Sequence, residues 1–125
     1  MKSIERFPLG DISSAQAGEC IGICLFDGGS IKRGQVLSPD LKPNITRTIR
    51  GNIFWMDTEI HKMGELLVFR CVTQEATCRI GKIAGKFDPA SMGLIDKDPN
   101  QIKCAEIANA EIILDHDVIV DQFSY

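Results

Sequence analysis

Short runs rich in Ile, Val and Phe recur along the chain, each closed off by Gly, Pro, Asn or Asp, and an apolar repeat of helical period is nowhere sustained. That punctuation restricts the chain to an all-β class, a sandwich or barrel of short strands. The first runs cover residues 2–7, ending at Pro8 and Gly10; 19–26, ending at Asp27-Gly28-Gly29; and 31–37. Gly18 suits a tight turn into the second run, and Gly28, Gly29 and Gly34 read as turn or bulge positions. Three strands are too few to close a barrel, so this stretch reads as part of one.

Prolines at 39 and 43 stiffen the chain and remove backbone donors, which places a domain boundary between 1–40 and 41–125. Beyond it, residues 46–56 alternate as a half-buried strand, 57–64 form a loop, and 66–72 and 76–83 pair as a hairpin with Gln74 and Glu75 at its tip. That tip sets Cys71 opposite Cys78. A polar excursion at 86–100, holding at most one helical turn, leads to strands at 105–114 and 117–121, with Asp115-His116-Asp117 as the turn between them. Trp55 sits in the apolar run Ile53-Phe54-Trp55-Met56 and reads as a core or inter-domain aromatic.

Composition narrows the function classes. At 125 residues the chain is too short for a nucleotide-hydrolysing domain plus anything else, and its 44% hydrophobic and 25% charged residues are those of a globular protein. No apolar run approaches a membrane span, and the opening residues lack the apolar core of a signal peptide, so a cytoplasmic location is expected. A net charge of −3 argues against a general nucleic-acid binder, though a local basic patch is compatible with it. Cys20, Cys24, Cys71, Cys78 and Cys104 lack the spacing of zinc knuckles and are expected as reduced thiols, with no metal and no cofactor. His61, and His116 between Asp115 and Asp117, could be imagined as a proton-transfer pair or a metal site, but no motif places a nucleophile or base beside them, and no catalytic residue is expected.

Longer segments resemble a known family. KSIERF at 2–7, AQAGECIGICL at 15–25 and IKRGQVL at 31–37 resemble, in order and spacing, the last half of the second domain of translational GTPases. That family includes elongation factor Tu, elongation factor 1-alpha, ribosome-rescue GTPases and the GTPase subunit of sulfate adenylyltransferase. FWM at 54–56, LLVFRCVTQEATCRIGKI at 66–83 and KCAEIANAEIILDHDVIVDQF at 103–123 resemble the third domain. FWM and the CVTQEATCRI hairpin are most similar to the sulfate adenylyltransferase large subunit, whereas KDPN at 97–100 is similar to elongation factor 1-alpha and release-factor relatives. The subfamily stays open.

The resemblance implies a partial β-barrel over 1–40, then a small antiparallel Greek-key barrel over 41–125, short of its last strand and with an unpaired edge. It implies no enzyme in this stretch: neither a phosphate loop nor an Asn-Lys-x-Asp motif occurs. It implies docking to a GTPase domain and to a partner, RNA (tRNA or ribosome) in translation factors and a catalytic subunit in the sulfate enzyme. A free-standing homodimer whose unpaired strands complete each other is the alternative from a different class. Candidate partner-binding residues are Arg47, Arg50, Lys62, Arg79, Lys82 and Lys86. On a regular strand Arg79 and Lys82, an odd number apart, point to opposite faces.

Overall fold

The computed structural model describes residues 1–26, 29–38, 42–97 and 99–121. Among them there is no helix, and every pairing between strands is antiparallel. The chain divides into two compact units, Met1–Lys32 and Arg33–Tyr125.

In the first unit, β1 (Ser3–Arg6) is flanked by β2 (Gly10–Ile12) and β3 (Gly22–Cys24). Ile4 lies opposite both Ile12 and Ile23, the apolar row that holds the sheet in register. Gly18 takes φ +90 in the turn before β3, as its position suggested. β2 escapes the sequence pattern because Gly10 and Asp11 look like turn residues. The turn expected at 27–28 lies outside the described residues, as do Pro39, Asp40 and Leu41 of the linker. The strand expected at 31–37 is absent: Gly34, at φ +94, sits in a turn, and that left-handed backbone breaks the extended run.

The second unit holds β4 (Ile45–Phe54), β5 (His61–Lys62), β6 (Leu66–Cys71), β7 (Gln74–Phe87), β8 (Leu94–Lys97), β9 (Gln101–Ile102) and β10 (Ile107–Ile119). The main sheet runs β4-β10-β7-β6, a Greek-key order in which β10 returns beside β4; β8 pairs with the far end of β7, and β5 with β9. Among the described residues the path is open, with β4 and β6 at its ends, so the fold is all-β but the described sheet is not a closed barrel.

Alternation along β7 and β10 explains the core. Ala76, Cys78, Ile80 and Ile83 of β7 face Ala108, Ala110 and Leu114 of β10, with Ile102 of β9 and Val118 completing two buried clusters. Trp55 packs against the first cluster and donates its Nε1 hydrogen to the Glu59 carbonyl at 2.8 Å, the first of the two roles, core or inter-domain, read for it.

Four expected boundaries change. The β6–β7 hairpin turns at Val72 and Thr73, so Cys71 faces Gln74 and Cys78 faces Leu67. Gln74 is drawn into the ladder because its side-chain amide both donates to and accepts from the Ile119 backbone, each at 2.8 Å. β5 lies within the stretch read as a loop, and β8 within the polar excursion, each too short for a periodic signal. Asp115-His116-Asp117 is not a turn but part of β10: pairing with β4 slips between Ile113 and Val118, and the three polar residues occupy the slack.

Candidate interaction surface

Glycine at 81 decides which side chains share a face. β10 residue Glu111 lies opposite Lys82, while its neighbour Ile112 lies opposite Ile80, so Gly81 is an extra residue in β7. A bulge of this kind reverses the alternation after it. Gly81 suits the place because a Cβ there would collide with Cδ1 of Ile113, which folds over it. Arg79 and Lys82 therefore both project to the solvent side, correcting the expectation of opposite faces.

Across the strands the solvent face carries a row of alternating charge. Lys82 on β7 and Arg50 on β4 flank Glu111 on β10, and Arg50 Nε donates to Glu111 Oε2 at 2.9 Å. A shallow depression of about 310 Å³ opens there, lined by Arg50, Lys82, Ala84, Asn109, Ala110 and Glu111. Its rim is fixed by Asn109, whose Nδ2 donates to Asn52 Oδ1 at 3.0 Å. Among the described residues neither Arg79 nor Lys82 makes an ion pair.

The other candidates separate. Arg47 is exposed and donates to Asp117 Oδ1 at 2.6 Å, in the irregular stretch of the β4–β10 pairing. Lys62 lies on β5, away from the main sheet, with its backbone N–H donating to Glu65. Lys86 is not on the surface. A second slip in register, between Asn109 and Ala110, turns it to the core side opposite Ala108, where Nζ donates to both oxygens of Glu106 at 3.0 and 3.1 Å. Its side chain is 7% exposed, so it is a structural ion pair and not a contact residue.

Glu111, Asn109 and the bulge were missed by sequence reasoning, although a glycine inside a strand pattern is a recognised bulge signal. His61 is buried, packed against Trp55 with ring centroids 4.9 Å apart and the planes tilted by 35°, while His116 is exposed and pairs with Asp115 at 2.6 Å. Among the described residues no group of His, Cys, Asp and Glu is arranged to hold a metal. Burial pushes the Cys78 thiol up, and the Asp115 carboxylate adds to the effect. A second cleft, about 660 Å³, lies by the hairpin tip between Arg33, Arg70, Glu75 and Asp117, with its opposite charges balanced.

Residues 48–125 match the family model described as GTP-eEF1A C-terminal domain-like. The chain belongs to that family. The GTP-eEF1A C-terminal domain-like match takes in nearly all of the main sheet and with it the depression between Arg50 and Lys82. Similar proteins include sulfate adenylyltransferase subunit 1 of Tolumonas auensis, 27% identical over 117 residues, covering 92% of this chain and 24% of that protein. The subunit of the same name from Shewanella oneidensis is 30% identical over 105 residues, 82% of this chain and 19% of that one. Elongation factor 1-alpha of Desulfurococcus mucosus is 30% identical over 118 residues, 90% of this chain and 27% of its own length. The chain thus spans about a quarter of the length of the relatives it matches. No helix of the described residues is long and apolar enough to cross a membrane.

Proposed function

We propose that this chain is a non-catalytic β module of an elongation-factor-like GTPase, acting in the cytoplasm by docking to a GTPase domain and to a protein or RNA partner. The family match carries this reading, and the sequence supports it by holding no phosphate loop. Docking uses the solvent face of the main sheet, where Arg50, Arg79 and Lys82 gather; Arg47 and Lys62 lie outside that cluster. Titrating labelled GTP and tRNA against the purified chain tests it. Neither GTP turnover nor tight GTP binding is expected, and saturable turnover would refute the reading.

A narrower version makes the parent the large subunit of a sulfate adenylyltransferase. It is favoured by the two relatives that carry that name and by the FWM and CVTQEATCRI segments. Retention of the adenylyltransferase catalytic subunit on immobilised chain is the expected result, and its absence counts against this version. The edges of β4 and β6, open among the described residues, favour a third reading, a homodimer that pairs them. A monomer by light scattering at high concentration disposes of it.

A further inference from the structure

The main sheet leaves a cationic depression set among exposed apolar side chains. Arg50, 83% exposed, engages Glu111 through Nε, and Lys82 stands on the other side of the same carboxylate with no ion pair among the described residues. Two cations thus flank one carboxylate across three strands, and only Arg50 is paired with it. One row further, Arg79 lies beside Asp115, which is already engaged by His116. The floor is shallow because Ala84, exposed there, carries only a methyl group.

Apolar groups bracket this patch on the same face. Leu66, opposite Arg79 in the ladder, is 73% exposed, and Val68 beyond it is 62% exposed. At the other end Phe54, opposite Ile107, is half exposed. The mixture decides the class of ligand. A polyanion is held by an extended field of Lys and Arg reaching many phosphates, and it gains nothing from exposed Leu and Val. A protein interface sets apolar contact area beside a small number of charged and hydrogen-bonding groups, and this face offers both. The chain's net charge of −3 also opposes a long polyanion while leaving a local cationic spot effective.

Resting on the docking reading above, we infer that the solvent face of β4, β10 and β7 receives an acidic segment of a partner protein. One carboxylate of that segment seats beside Lys82, the cation of this row that makes no ion pair among the described residues, and flanking apolar side chains lie against Leu66 and Val68 on one side and Phe54 on the other. The incoming carboxylate joins Glu111 in neutralising the two cations, completing a row of alternating charge that the chain alone leaves one anion short.

The test is a nuclear magnetic resonance titration of the full, isotope-labelled chain with a serine- and glycine-based peptide carrying one glutamate between two leucines. Its glutamine counterpart and a uridine oligonucleotide serve as comparison ligands. The glutamate peptide is expected to shift the amides of Arg50, Lys82, Glu111 and Leu66, leaving Lys86 unmoved on the core side. The glutamine peptide should bind about tenfold more weakly. Lys82→Glu should remove the response, and Arg50→Glu, also at an exposed position, provides the second variant. No shifts at these amides, equal binding of both peptides, or tighter binding of the oligonucleotide at the same residues overturns the inference. GTP turnover by the chain would instead sink the docking reading, so the two failures are separable.

Discussion

Lys86 and Glu106 sit on the core side of the sheet with side chains 7% and 17% exposed, and removing either leaves a charge with little access to water. Glu106 also accepts the backbone N–H of Lys103 at 2.8 Å, so its carboxylate is fixed whether or not the lysine is present. Lys86→Ala should therefore cost about 3 kcal/mol in urea unfolding, while Lys86→Met combined with Glu106→Gln should recover much of that loss. Asp88 shows the opposite, solvent-facing use of a carboxylate. Its Oδ1 accepts from the Ser91 backbone, the Ser91 hydroxyl and the Ala90 backbone, bonds that hold its carboxyl below the usual carboxylate range. Because the folded value is the lower one, the turn gains stability above the unfolded aspartate range and loses it as pH falls through the depressed folded value. The amide resonances of Ala90 and Ser91 should move together on acidification with a midpoint below that of a free aspartate, and Asp88→Asn should abolish that transition.

The element scale is where sequence and structure part. Alternation of apolar side chains made β4, β6 and most of β7 and β10 legible, and the glycine in the turn before β3 declared itself by its type. Strands of two to four residues such as β5, β8 and β9 were not legible, since two residues cannot express a period. Val72, at φ +53, gave no turn signal because a β-branched residue rarely adopts that backbone. The charged face was half legible: its residues could be named, but their sharing of a face depends on a bulge that alternation alone does not reveal. Gly81 can be tested directly. Deleting it would restore strict alternation with Ile80 and Ile83 still inward and Arg79 and Lys82 still outward, so cooperative unfolding and the shared charged face should both be kept. Gly81→Ala is the costlier change, since the new methyl collides with Cδ1 of Ile113 and meets its Cγ1 at 3.0 Å. It should cost about 1 kcal/mol in urea unfolding, relieved when Ile113→Val removes that terminal carbon.

Taken whole, the molecule distributes burial unevenly. Ile80, Ile83, Ile102 and Val118 are almost wholly enclosed within Arg33–Tyr125, whereas no described residue of Met1–Lys32 reaches that state; Phe7 is 97% exposed and Phe26 80%. A three-stranded sheet of three- and four-residue strands without an enclosed side chain gains little from the hydrophobic effect to offset the entropy of ordering its backbone. Its hydrogen bonds should open in local fluctuations that leave the main sheet intact. Native-state hydrogen exchange reads this directly, because an amide that opens locally exchanges faster than one released only by global unfolding. Amides in the paired centre of β7 and β10, such as Ile80, Ala110 and Ile112, should exchange at least roughly 100-fold more slowly than those of Ile4 and Ile23 after correction for intrinsic rates. Low concentrations of urea should accelerate β7 and β10 strongly and β1 to β3 hardly at all, since only the former expose a large area on opening. Equal protection in both units, with equal urea dependence, would mean that they unfold as one cooperative body and that the enclosed core of the second unit stabilises the first.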